Sequence, residues 1–239
     1  MSNELLFITI SLVDLAICLF ACRMGRNWLY VFIAANLIVT NLFAPKIVPV
    51  FGVSVSLSAA TIATIYVATD ILTEHYGKTA GFRAVWLSFF SVVLVICLGQ
   101  IMILSTPAGQ SAEISGALRE VFAAAPRNVL ASMTAYILVQ RYDIWIYHLL
   151  HEKMNGRYLW LRNNVSTLTS QFFDTVIFFT IAFAGKIPVP ALINIILFGY
   201  IVKAGFAVFD TPFIYLSYWV RGKSLRDTRE VPVDEPRST

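Results

Sequence analysis

The chain has 239 residues, 58% of them hydrophobic and only 13% charged, with a mean hydropathy of +0.72. A soluble domain averages about 25% charged residues, so a water-soluble globule is excluded and the apolar excess must meet lipid. The net charge of +4 does not indicate a nucleic-acid partner, because the basic residues sit in short loops and the tail, where membrane topology accounts for them.

A helical span needs about 20 mainly apolar residues. Seven stretches qualify, at 5–22, 28–44, 55–73, 84–104, 128–150, 166–185 and 191–219. They predict an all-α, polytopic membrane helical bundle. Glu4 precedes the first run and no basic region does, so the run does not read as a secretory signal. The first two spans are short and predict nearly upright helices. Pro107, Gly109 and Gln110 open a 105–126 segment that is not a span, and its Ala-rich part, 112–125, predicts a short interfacial helix. The last span is long and predicts a tilt, or a break at Pro212 or Gly205. Residues 1–220 read as one transmembrane domain, and 221–239, charged and Pro-containing, as a disordered cytosolic tail.

The basic residues set the orientation. Arg23 and Arg26 follow span 1; Lys78 and Arg83 follow span 3; Lys153, Arg157 and Arg162 follow span 5; Arg221, Lys223, Arg226 and Arg229 follow span 7. The alternate loops carry fewer: Lys46, then Arg119 and Arg127, then Lys186. This pattern predicts an outside N-terminus and a cytosolic C-terminus in a multi-pass membrane protein. Tyr76, Trp86, Trp145, Tyr147, Trp160 and Trp219 fall near the cytosolic ends, as interfacial aromatics do. Phe173-Asp174-Thr175 recurs as Phe209-Asp210-Thr211, which reads either as paired repeats or as coincidence. Cys18, Cys22 and Cys97 lie in apolar spans and read as small buried hydrophobes, without the His or acid neighbours a metal site needs. No disulfide framework, metal or cofactor is expected.

Asp14, Asp70, Asp143, Asp174, Lys203 and Asp210 lie inside these spans. Each would cost roughly 2.5–3.5 kcal/mol facing lipid at mid-membrane, so they must pair or line a polar interior. Helical spacing supplies the faces. Tyr66, Asp70, Thr73 and Glu74 share one; so do Tyr136, Gln140, Asp143 and Tyr147; Thr167, Ser170, Gln171 and Asp174; and Tyr200, Lys203, Ala207 and Asp210. Asp174 and Lys203 come out near mid-membrane, with Asp70, Asp143 and Asp210 in the cytosolic half. Lys203 and Asp210 are roughly 10 Å apart along the axis, so the partner expected for Lys203 is an acid of another helix, and Asp174 matches its depth.

Plainer readings stand beside these. Asp174 and Lys203 could form a purely structural ion pair. Asp14, alone on its span, could pair locally or at an oligomer interface. Asp143, two residues after Arg141, could snorkel to the cytosolic surface. Asp70 and Glu74 could simply end span 3 near water. His148 and His151, beside Glu152, read as solvated rather than metal-binding. Ala59/Ala63, Ala131/Ala135 and Ser166/Ser170 are small-xxx-small pairs suited to close helix packing. There is no phosphate loop, nucleophile elbow or HExxH motif, so an enzyme is not expected.

Several runs resemble the queuosine precursor transporter family, also described as vitamin-uptake-like. They are Ala68-Thr69-Asp70-Ile71-Leu72-Thr73-Glu74 with Tyr76-Gly77-Lys78; Ala84-Val85-Trp86-Leu87; and Pro126-Arg127 with Ala131-Ser132 and Ala135-Tyr136. The strongest is Leu159 through Thr167, then Ser170-Gln171 and Asp174-Thr175, completed by Lys203 and Asp210-Thr211-Pro212-Phe213. The resemblance covers about residues 28–219. It implies import of 7-deazaguanine bases such as preQ0 and preQ1 across a bacterial or archaeal cytoplasmic (inner) membrane, as precursors of queuosine in tRNA; alternating access is the transport mode expected of such a bundle. On that implication the substrate-binding residues are Asp70, Arg127, Asn164, Gln171, Asp174 and Lys203, while Glu74, Asp143 and Asp210 bind, relay protons or pack. A capture subunit of an ATP-driven importer stays open as a second class, and a structural or enzymatic membrane protein as a third. A homodimer also stays open.

Overall fold

In the computed structural model, the described residues are 2–43, 46–50, 52–122, 126–185 and 187–221. Eight α-helices are described: α1 (Asn3–Met24), α2 (Arg26–Phe43), α3 (Ser58–Tyr76), α4 (Lys78–Met102), α5 (Ala112–Phe122), α6 (Pro126–Lys153), α7 (Leu159–Phe183) and α8 (Val189–Arg221). Every predicted span coincides with one of them, and the predicted interfacial helix is α5. The tail from 222, Lys186, and the side chains of Arg127 and of Phe209-Asp210-Thr211 lie outside the described residues.

Three helices, α1, α4 and α7, are by themselves long and apolar enough to cross a membrane. Their outer faces are apolar and exposed, as at Phe20, Phe90 and Phe172. By contrast α3 is buried almost all round, because α1, α2, α4, α6 and α8 pack against it. A helix wrapped by other helices need not be apolar on every face, which is how α3 carries Thr, Asp and Glu through the bundle centre.

Local chemistry sets the turns. Gly77 has φ +84°, a left-handed conformation that a side chain resists, and its N–H caps α3 on the Thr73 carbonyl at 2.9 Å. Lys78 starts α4 at once. At Gly81 a Cβ would come 2.5 Å from Thr73 Oγ1, so only glycine lets α3 and α4 approach this closely. Polar clamps then join neighbours. Thr40 and Thr61 hydroxyls meet at 2.8 Å between α2 and α3, and Ser88 and Tyr136 hydroxyls at 2.6 Å between α4 and α6.

Several expectations change. Residues 47–56 form an antiparallel hairpin, β1 (Ile47–Val50) and β2 (Val53–Ser56), so the third helix starts at Ser58 rather than 55. The alternating β-branched residues on either side of Gly52 favour strands. α7 begins at Leu159, so Arg162, counted above as a loop charge, belongs to a helix. α8 runs unbroken through Gly205 and Pro212; at 1.5 Å per residue it is about 50 Å long, more than a bilayer core requires. Cys18 and Cys22 are buried, whereas Cys97 is exposed on α4. Tyr147, read as interfacial, is fully buried.

Candidate functional site

Three of the four faces implied by the spacing turn inward; of the fourth, the side chains of Ala207 and Asp210 lie outside the described residues. Tyr66, Asp70, Thr73 and Glu74 of α3 are buried, as are Tyr136, Gln140, Asp143 and Tyr147 of α6 and Thr167, Ser170 and Gln171 of α7. They form two polar clusters at different depths.

The first lies where the C-terminal ends of α3, α6 and α8 meet the N-terminal end of α7. Glu74 is its centre. Arg162 Nη2 donates to Glu74 Oε1 at 2.5 Å, Tyr147 Oη to Oε2 at 2.9 Å, and Tyr218 Oη also donates to Oε1. His151 Nδ1 lies 3.5 Å from Glu74 Oε2 and contacts Arg162 Nη1. Close by, His75 Nε2 and Ser217 Oγ are 2.9 Å apart, and the Trp160 N–H donates to Tyr215 Oη at 3.2 Å. A buried charge pair persists only when further hydrogen bonds satisfy it, and these tyrosines supply them. Two readings are therefore corrected: Glu74 is not solvated at a helix end, and His151 is not a free surface residue. His148 does pair near the surface with Glu152, at 3.1 Å.

The second cluster lies deeper between α3, α6, α7 and α8. Asp70 is not a solvated helix end, for it is 1% exposed; Asp143 does not snorkel, for it is fully buried. Asp143 Oδ1 accepts from Ser170 Oγ at 2.6 Å. Asp70 of α3 and Asp143 of α6 are both buried in this layer. Lys203 Nζ donates to Asp174 Oδ2 at 2.5 Å, bridging α8 to α7 as the depth argument expected. Tyr66 is buried on α3, one turn before Asp70 on the same face. The Gln171 side chain is 4% exposed, and its Oε1 has no donor among the described residues.

Other predicted site residues fall elsewhere. Asn164 bonds the Trp160 carbonyl at 2.7 Å on its own helix, about 15 Å along α7 from Asp174, so the two do not meet. Asp14 pairs locally, its Oδ2 accepting from Asn36 Nδ2 at 2.7 Å between α1 and α2. No group of three or more His, Cys, Asp and Glu residues suited to a metal ion occurs among the described residues.

Arg162, Tyr147, Tyr218 and Ser170 were not singled out as site residues. Arg162 carried a sequence signal: it opens the Arg-Asn-Asn run that leads into the Ser/Thr face of α7.

Residues 56–217 match the family described as "Putative vitamin uptake transporter". A Bacillus subtilis (strain 168) protein, "Probable queuosine precursor transporter", is 35% identical over 201 residues, which are 83% of this chain and 87% of that protein. No solved structure matches.

Proposed function

The chain belongs to the family described as "Putative vitamin uptake transporter", and on that premise we propose that it imports queuosine precursors, 7-deazaguanine bases such as preQ0 and preQ1, across a bacterial cytoplasmic membrane. It is a multi-pass membrane transporter rather than an enzyme. The observation that carries the substrate reading is the acidic layer of Asp70, Asp143 and Asp174 with Lys203, inside a bundle whose relative bears that name.

The chemistry suits the ligand. A guanine-like edge presents N–H donors that carboxylates accept, as acidic side chains do with exocyclic amino groups. Its flat ring stacks on aromatics, and Tyr66 lies one turn from Asp70 on the buried face of α3. The aminomethyl cation of preQ1 favours an acidic surrounding. Asp174 and Asp70 are the ligand-binding acids, Gln171 orients the base, and Lys203 balances the Asp174 charge between substrate visits. Transport proceeds by alternating access, and Asp70 and Asp143, both buried acids, are the groups that would carry a coupling proton.

The test is uptake of labelled preQ1 into liposomes holding only this purified protein, with and without an imposed proton gradient. Saturable uptake that preQ0 competes and guanine does not is the expected result. Binding without uptake would instead assign the chain to a capture subunit. Neither, in protein shown to be folded, would overturn the substrate. Asp174→Asn is expected to abolish uptake and leave membrane insertion intact; normal uptake by that variant would remove Asp174 from the site.

A further inference from the structure

Arg141 of α6 takes part in neither polar cluster. It is exposed, and no carboxylate lies within ion-pairing distance of it among the described residues. Its guanidinium rests against two rings of α4 instead, 5.7 Å from the centre of Phe82 and 5.9 Å from that of Trp86. Lys78 Nζ, at the start of α4, lies 5.6 Å from the same Phe82 ring. Two cations thus converge on one ring between α4 and α6. A ring face attracts a cation, but it leaves the N–H donors of both side chains, five on the guanidinium alone, in need of acceptors.

Packing holds the two walls of this groove together. The Ser88 and Tyr136 hydroxyls meet at 2.6 Å, and a Cβ at Gly81 would come 3.2 Å from Ile144 Cδ1. Lys78 follows directly on the Gly77 turn, so it stands at the end of a span, and Phe82 is about 6 Å further in. Trp86 and Trp145 are 50% and 46% exposed, and exposed indoles at this depth suit the headgroup layer. Deeper along α4 the ridge continues as Phe90, Leu94 and Leu98, all exposed. From Trp86 to Leu98 it runs about 18 Å, roughly the hydrocarbon depth of one leaflet.

We propose that the α4–α6 groove binds an anionic phospholipid, with Arg141 and Lys78 holding the headgroup phosphate and the Phe90–Leu98 ridge carrying an acyl chain. Guanidinium and phosphate bond through parallel N–H donors. A free phosphate would use the cations and leave the ridge empty. A zwitterionic lipid would bring a cation of its own to a cationic patch. Basic pockets between spans on the cytosolic side take anionic headgroups, and the charge pattern of the loops predicts that side for the start of α4. The inference is independent of which solute is carried.

The experiment is native mass spectrometry of the purified full chain in detergent, with equimolar phosphatidylglycerol and phosphatidylcholine added. It compares the wild type with Arg141→Gln, Lys78→Gln and Arg83→Gln. Arg83 is exposed on α4 about 100° round the helix from Phe82, so it controls for net charge. The wild type is expected to prefer phosphatidylglycerol. Arg141→Gln is expected to weaken that lipid by about tenfold, Lys78→Gln by less, and Arg83→Gln not at all. Thermal unfolding without added lipid establishes that each variant is folded, and Lys78→Gln serves if Arg141→Gln does not fold. Equal affinity of the wild type for the two lipids would overturn the proposal, as would an unchanged preference in the folded groove variants. Displacement of the bound lipid by millimolar inorganic phosphate would also overturn it, because the groove would then be a site for a free anion.

Discussion

The two buried polar clusters lie about one helical turn apart on α3, from Glu74 to Asp70, and are built in opposite ways. Around Glu74 nearly every polar atom is engaged: Arg162, Tyr147 and Tyr218 all donate to the carboxylate, while Arg162 Nε has no partner among the described residues. Around Asp143, Gln140 and Gln171 each keep an open amide end, and the Asp174–Lys203 pair is partly exposed, at 15% and 24% for its side chains. A saturated cluster has no bonding capacity to spare, so it holds α3, α6, α7 and α8 together at one end. An unsaturated one keeps capacity for a solute. Burial alone does not separate them; satisfaction of the hydrogen bonds does.

Variants can break or sharpen this contrast. The largest expected effect is that of Arg162→Met, which strands the Glu74 carboxylate among tyrosines and should destabilise the protein by about 3–5 kcal/mol. Thermal unfolding in detergent should show a clear fall, partly restored by adding Glu74→Gln, while base affinity of the remaining folded protein stays within twofold. A large loss of affinity in folded Arg162→Met would erase the distinction. Lys203→Met comes next. It removes one charged hydrogen bond, worth about 1.5–3 kcal/mol, but should abolish uptake. The exchange Asp174→Lys with Lys203→Asp should recover the stability without the uptake, because the pair would survive while the acid left its place on α7. Recovered transport in that exchange would make the pair structural. The smallest effect is that of Tyr218→Phe: one of several donors to Glu74 is lost, for about 0.5–1.5 kcal/mol, with unchanged transport kinetics in liposomes.

Much of the fold was legible because lipid imposes long apolar runs and helical spacing marks their polar faces. The inward set Tyr66, Asp70, Gln140, Asp143, Ser170 and Gln171 followed from that periodicity. The family was legible too, in the ordered runs about Asp70, Asn163 and Asp210. The hairpin 47–56 was not, because its β-branched residues are apolar and adjoin a span, and hydropathy does not distinguish strand from helix over so few residues. Arg162 was misread because an Arg near a helix end counts toward topology whichever way it points.

By itself the sequence determined that this chain lives in a membrane, where its helices lie, and which sides of α3, α6 and α7 turn inward. Only the tertiary structure decided partners: Glu74 with Arg162, 88 residues on; Asp174 with Lys203, 29 residues on; and Asp143 with Ser170, 27 residues on. The reason is geometric. Periodicity sets the direction of a side chain about its own axis, but the axial register and rotation of one helix against another come from packing, and those decide which acid meets which base and which amide is left open.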